Sequence, residues 1–599
     1  MKHTSHPRPH LLAHAATLAL AAMTAAPALA VTFTWNSGTL VAGVTAPSPL
    51  AAADVLNIGA GGNKFFNAVV FTSNGTVNWN ADTLYFASGG GVVNNDLWNV
   101  TSDNALTYNN GASPSFTNNG VFRKSGGVGS TTINSGVGSV NNDTLDAQTG
   151  VISIVGGSVF NAGSVFTGAG AVNVSAGTNT FNGGFTSANL VLQSGTHLGN
   201  NAAVGGALTV FSGGTLTGTW QVSAGQVFSG GAGGNKFIDG AATVVTNLGT
   251  IAWGTTDSLL LASAATVSNQ GLFLASETTS VDYNNGAGPS FINTDSGTVR
   301  AAAGKTLSIN NTTGFVNNAG VLDAQAGATI QYAGGSVFNS GSQFTGAGSN
   351  VAAGNHTWNG GFNSANLVLQ GGTHNGNSAV VNGTARYTGG TLDGTWQVGA
   401  AQTLAVADGA NKFIDGSATV VTNKGLDAVN TGDFIYMTSG ATLANQGTLN
   451  FSGNGGVAYN GGALPSFVNS GLIVKSGGTG VTTIGDTLAF NNLGTVEVQT
   501  GTIALPTNFS NAGTLKGVGS YSLGGTLSNA GTVAPGASPG TLGLTGNYAQ
   551  TGAGIFAVDL QSVSTHDLFN ISGTAALGGK LAINCFAACS LAMGDVATW

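Results

Sequence analysis

Four histidines stand outside the first thirty residues: His197, His356, His374 and His566. Imidazole is a common metal ligand and titrates nearest neutrality, so these residues set the first test for chemistry. A zinc site needs three or four ligands converging on one point. His197 and His374 occupy the same position in two copies of Gly-Thr-His-x-Gly-Asn. About eight turns of a stacked fold would separate them by roughly 38 Å, too far to share a metal. His356 stands where the first copy has Asn179, and His566 adjoins Asp567. These histidines read as ladder or loop residues.

Other chemical groups are equally dispersed. Gly536-Ala537-Ser538-Pro539-Gly540 spells G-x-S-x-G. A nucleophile elbow uses the N–H after the serine as an oxyanion donor, and Pro539 has none. Asp82, Asp103, Asp257, Asp282 and Asp433 offer oxygen ligands of the kind Ca²⁺ takes, but no calcium-binding nonapeptide surrounds them. They read as solvated turn residues. Cys585 and Cys589, the two cysteines, lie in a C-x3-C spacing. A local disulfide and a pair of buried thiols both remain open, while a metal set lacks further ligands. The sequence therefore predicts no catalytic residue, no metal and no cofactor.

The best candidates for a ligand-facing surface are Tyr108, Tyr283 and Tyr459. Each opens a copy of Tyr-Asn-x-Gly-x-x-Pro-Ser-Phe. An aromatic ring on an outward loop suits sugar stacking; a plain structural loop is the alternative.

These residues recur because the chain itself recurs. Asn63-Lys64-Phe65 returns as Asn235-Lys236-Phe237 and again as Asn411-Lys412-Phe413, at nearly equal offsets. Three long units follow, 61–232, 233–409 and 410–535, the third diverging after about residue 500. Inside each runs a shorter unit such as Val316-Asn317-Asn318-Ala319-Gly320-Val321-Leu322-Asp323-Ala324. Asn and Gly tolerate the left-handed turn conformation, and the apolar alternation suits a strand. Its steps are as short as Gly513 to Gly531 and as long as Gly271 to Gly297. Such a period of short strands predicts an all-β fold, a right-handed parallel β-helix with rungs of about 22 residues. About 24 rungs would give a rod on the order of 110 Å, with apolar residues stacked inside and Thr, Ser and Asn in outward ladders. The loops opened by the three tyrosines should then recur along one side. Residues 31–60 are expected to cap the N-terminal end.

Composition agrees with a solenoid. Of 599 residues 98 are Gly, 42% are hydrophobic and only 6% are charged. Residues 1–30 read as a signal peptide: Lys2 and Arg8, an apolar run from Leu11 to Ala26, then Ala28-Leu29-Ala30 with cleavage after Ala30. Without them the chain holds 12 basic and 22 acidic residues. Few, scattered cations argue against nucleic acid or an anionic membrane as partner, and no transmembrane anchor is read after the signal.

Near the end, 529–542 reads Asn-Ala-Gly-Thr-Val-Ala-Pro-Gly-Ala-Ser-Pro-Gly-Thr-Leu. Gly546-Asn547-Tyr548-Ala549-Gln550, Val558-Asp559-Leu560 and Asp567-Leu568 follow. This stretch resembles the end of the β-helical region in bacterial surface proteins, such as autotransporter passengers and long repeat proteins with a PEP-CTERM sorting signal. The resemblance implies a secreted, elongated protein at the cell surface or outer membrane, adhesive or structural. Its partners would be extracellular glycans, matrix or a host surface. An autotransporter would continue into a membrane barrel, yet the sequence reaches Trp599 soon after Gly531. A PEP-CTERM protein would end in a Val-Pro-Glu-Pro-like motif, which is not seen. Residues 536–599 are therefore expected to be a truncated passenger end.

Parallel β-helices also include polysaccharide lyases and hydrolases, one alternative function; a truncated autotransporter passenger without independent function is the other. Asn293-Thr294-Asp295 spells the N-T-D of polygalacturonase-like enzymes, but their Asp pair, Gly-His-Gly and Arg-Ile-Lys are missing. Here it fills the repeating turn slot. The expectation is a protein that is not an enzyme.

Overall fold

Four-residue strands with alternating burial build the protein. Thr76–Trp79, Thr266–Asn269 and Thr495–Val498 each alternate between half-buried and buried positions. Alternation at period two is what a β-strand with one face in a core requires. The structure, a computed structural model, describes residues 29–430, 432–537, 539–590 and 592–598. Among these it contains 68 strands and no helix. The stretch read as a signal peptide, apart from Leu29 and Ala30, lies outside the described residues.

The strands wind into a parallel β-solenoid of about 25 turns with rungs of about 22 residues. Three sheets form its walls, strands pairing in parallel with the strand one turn on, apart from Thr565–His566, which pairs antiparallel with Ile555–Ser562. Sheet A begins with Thr32–Trp35 on Val55–Ile58, then Thr76–Trp79. Sheet B begins with Gly38–Thr39 on Lys64–Asn67. Sheet C begins with Val70–Ser73 on Gly91–Asn94. Winding thus starts at Thr32, inside the stretch expected to cap the end. At one strand spacing per turn the rod is roughly 120 Å long.

Inward residues of successive turns stack in columns. Phe160 and Phe181 stack at 4.7 Å between ring centroids, and Phe338 and Trp358 at 4.4 Å. Hydrophobic burial along these columns is the main favourable term.

Two asparagine columns flank a corner, and they face opposite ways. The first Asn of each turn motif points inward. Asn247, Asn269, Asn293 and Asn317 are fully buried, and each Nδ2 donates to the next Oδ1 at 2.7 Å. The third unit runs from Asn423 through Asn445, Asn469, Asn492 and Asn511 to Asn529. The second Asn of the motif forms an outer ladder, as in Asn142 to Asn119 at 2.6 Å and Asn119 to Asn95 at 2.8 Å. The expectation of outward Asn ladders therefore holds for the second column of this corner, and also for Asn57, Asn78 and Asn99 on sheet A, but not for the inner column. Along the column the inner amides donate to one another and to the corner carbonyls, which makes their burial tolerable, and only the oxygen at the head of a column, such as Asn247 Oδ1, is left without a partner.

The long repeat does not close on a whole number of turns. From Lys64–Asn67 in sheet B, eight successive pairings reach Val227–Gly230, still in sheet B. The equivalent strand Lys236–Asp239 comes next in the chain and lies in sheet C, on Gly214–Leu216. Eight more pairings lead from it to Thr403–Val406, and Lys412–Ile414 then falls in sheet A. Each unit is eight turns plus one wall. Equivalent residues of the three units therefore sit on three different sheets.

Candidate functional site

The three tyrosine loops are built alike. The hydroxyls of Tyr108, Tyr283 and Tyr459 donate to the carbonyls of Gly111, Gly286 and Gly462 at 2.6, 2.7 and 2.8 Å. The serine of the preceding turn donates its N–H into each loop: Ser88 to Asn110, Ser263 to Asn285 and Ser439 to Gly461. The three glycines have φ near +80°, and a Cβ on any of them would lie within 3 Å of that serine. Glycine is required here by both conformation and space.

This geometry reassigns the tyrosines. The register places them over Phe86, Leu261 and Met437, which face the core. Tyr108 is 37% exposed, while Tyr283 and Tyr459 are half-buried. Their rings anchor the corner, and the exposed surface is the tip that follows, 109–113, 284–288 and 460–464. Tyr108 lies in sheet B, Tyr283 in sheet C and Tyr459 in sheet A. The expected recurrence along one side is overturned, because the extra third of a turn per unit moves each loop to the next wall.

The turn aspartates are not simply solvated. Lys64, Lys124, Lys236 and Lys412 have completely buried side chains, each with Nζ 2.6 to 3.0 Å from the carboxylate of Asp82, Asp103, Asp257 or Asp433. The same Nζ also donates to backbone carbonyls, such as Gly62 and Gly234 at 3.0 Å. The lysine hydrogen bond holds Asp82, Asp103 and Asp257 below the usual carboxylate range. Asp282 accepts from Ser280 Oγ at 2.6 Å and from Asn310 Nδ2. In the third unit Lys475 has Asn454 where the Asp103 equivalent would be, and burial lowers its pKa. Among the described residues no three His, Cys, Asp or Glu side chains converge on a metal position.

His197, His356 and His374 are buried in the core, where His356 and His374 do stack as a ladder, while His566 is only half-buried. His356 and His374 are in register on adjacent turns, rings stacked at 5.8 Å and 13°. They pack against Phe338 and Trp358. His197 lies beside Phe181. Burial lowers His197 and His356 to about 4 and His374 to about 3. His566 pairs through Nε2 with the Thr598 carbonyl at 2.8 Å.

Asn293 of the N-T-D triplet belongs to the inner Asn column, and Gly297 N closes the turn on the Thr294 carbonyl at 2.9 Å. The structure makes this triplet a corner.

Carboxylates and a cation meet at the C-terminal end. A cleft of about 360 Å³ is lined by Lys516, Asp559 and Asp567. Asp567 is buried, and its two oxygens accept N–H groups from Gly540 and Asp559, both at 2.8 Å. Burial raises its pKa. Its sequence partners in the motif are thus physical partners: Asp567 locks the Gly536–Gly540 loop from the next turn. Ser538 lies outside the described residues. Asp559 accepts from Asn584 at 2.7 Å, and Lys516 pairs with Glu497 at 3.1 Å. Beyond them, Cys585 and Cys589 are joined by a disulfide within Lys580–Ser590.

No family model matches the chain, and neither the curated proteins nor the solved structures yield a match to it.

Proposed function

We infer that the chain is a secreted, cell-surface structural or adhesive shaft that acts without catalysis. One observation carries this reading: a single unbroken stack of about 25 turns bears three identically clamped loops on its three walls. Lateral pairing at every turn makes such a stack stiff, and repetition supplies avidity. The apolar leader with its Ala-x-Ala end supports export. Extracellular glycans, matrix or host surfaces are the partners that fit an outer face of Asn, Thr and Ser with few charges.

The test is binding of the exported chain to immobilised glycans and matrix proteins, run beside a screen for polysaccharide breakdown. Retention on at least one surface without cleavage is expected. Reproducible cleavage of any polymer overturns the reading.

A further inference from the structure

One lysine clamp of the third unit carries two exchanges at a single corner. In the first unit the corner reads Asp103-Asn104, and its equivalent in the third reads Asn454-Gly455. The rest of the clamp is kept. Lys124 and Lys475 are both fully buried. Lys124 Nζ donates to the carbonyls of Ser102 and Gly126 at 3.3 and 2.8 Å, and Lys475 Nζ to those of Gly453 and Gly477 at 3.0 and 3.1 Å.

The corner is built for a carboxylate. Asp103 takes its two donors on two oxygens: Lys124 Nζ reaches Oδ1 at 2.6 Å and the Gly129 N–H reaches Oδ2 at 3.1 Å. In the third unit the same two donors, Lys475 Nζ and the Gly480 N–H, crowd onto Asn454 Oδ1, both at 3.1 Å. Asn454 Nδ2 is itself a donor and gains nothing from either. The buried ammonium is left without a counter-charge, and burial lowers the Lys475 pKa. Asn-Gly is also the dipeptide whose side-chain amide is most readily lost, since glycine has no side chain to shield its own N–H. Asn454 is exposed to water and lies in a bend ahead of the strand Gly456–Tyr459.

We propose that Asn454 is a self-modifying site, at which deamidation after folding installs the carboxylate that this clamp lacks. The Gly455 nitrogen bonds to Asn454 Cγ, the Cγ–Nδ2 bond breaks, and Nδ2 leaves as ammonia with the Gly455 proton. Water then adds to Cγ and the bond from Cγ to the Gly455 nitrogen opens, which restores the peptide and leaves a carboxylate. One water is consumed and one ammonium ion released. Lys475 Nζ and the Gly480 N–H stabilise the negative charge that develops on Oδ1 and then hold the product. They activate Cγ rather than the backbone carbonyl, so the product is aspartate and not isoaspartate. Three other Asn-Gly pairs serve as internal controls. Asn74, Asn119 and Asn359 stand in the outer ladders, where their Oδ1 atoms accept neutral amides from Asn95, Asn142 and Asn377.

The test is to age the full chain in mildly alkaline buffer and follow each Asn-Gly peptide by mass spectrometry, with Asn454→Asp as the standard for the product. Position 454 should convert at least threefold faster than positions 74, 119 and 359, and to aspartate. Lys475→Met should slow it to the ladder rate, and Gly455→Ala should slow it at least tenfold. Hydrogen exchange in 452–484 should slow on ageing in the parent and not in Asn454→Gln, a readout that does not depend on the lysine variant folding. Conversion no faster than in the ladders, isoaspartate as the main product, conversion undiminished in Lys475→Met or Gly455→Ala, or exchange unchanged after full conversion overturns the proposal.

Discussion

Asp427 is aligned in sheet C directly beneath Leu449, with Leu404 on its other side, in a column that faces the core. The other units place Val77 and Ile251 at this position, both buried. Asp427 is 5% exposed and its Oδ1 has no hydrogen-bond partner. Burial pushes its pKa up to about 8.

That carboxyl should cost stability at neutral pH. Its folded pKa lies above its unfolded value of 3.8, so its contribution is fully present below that value and is lost as pH rises through 8. Asp427→Val should therefore stabilise the rod by about 3 kcal/mol at pH 7. The gain should shrink toward pH 4. Denaturant titrations of both proteins at the two pH values read this directly; an equal gain at both would mean that ionisation is not the cause.

The core histidines act in the opposite sense. His197, His356 and His374 bind protons less readily folded than unfolded, so stability is lost as pH falls below about 6.5. By pH 4 the loss should be roughly 2–3 kcal/mol for each. The double variant His356→Asn, His374→Leu should melt at nearly the same temperature as the parent at pH 8. It should melt above it at pH 4. Parallel melting curves across this range would sink the assignment.

Lys475 lacks the carboxylate that Lys64, Lys124, Lys236 and Lys412 have. Asn454→Asp should supply it. Position 454 is exposed, which limits the gain to about 1 kcal/mol. The gain should fade as pH drops through the carboxylate range, since a paired Asp has a depressed pKa. Hydrogen exchange in 452–484 is the appropriate readout, because turns of a solenoid open locally.

Adjacent asparagines should respond differently. Asn317→Ala removes the acceptor for Asn293 Nδ2 inside the core and should cost about 2–3 kcal/mol. Asn318→Ala removes an exposed rung that accepts from Asn339 and should change stability by about 0.5 kcal/mol or less. Comparable losses for both would contradict the inward and outward assignment.

Loops on three walls should bridge rather than line up. Particles of two colours, each coated with whichever surface retains the rod, should be clumped by the parent chain. A variant with two tips replaced by Gly-Ser should bind one particle and not clump. Clumping that persists with a single tip would place adhesion elsewhere.

Residues 316–324 already carried the architecture in their order. An Asn-x-Gly corner followed by alternating apolar residues, repeated at near-even steps along the chain, leaves a parallel stack as the way to bury every strand. The equivalence of the three tyrosine loops was likewise written in their shared residues. Which of Asn317 and Asn318 turns inward was not, since a corner bends by a fraction of a residue step that composition does not encode. Nor was the wall on which a loop stands. That depends on the fractions of a turn summed over a whole long unit, and an error of one strand moves a loop to another face. The burial of Lys236 on Asp257 and the placement of Asp427 between Leu404 and Leu449 required neighbours one full turn away in the chain to be in position.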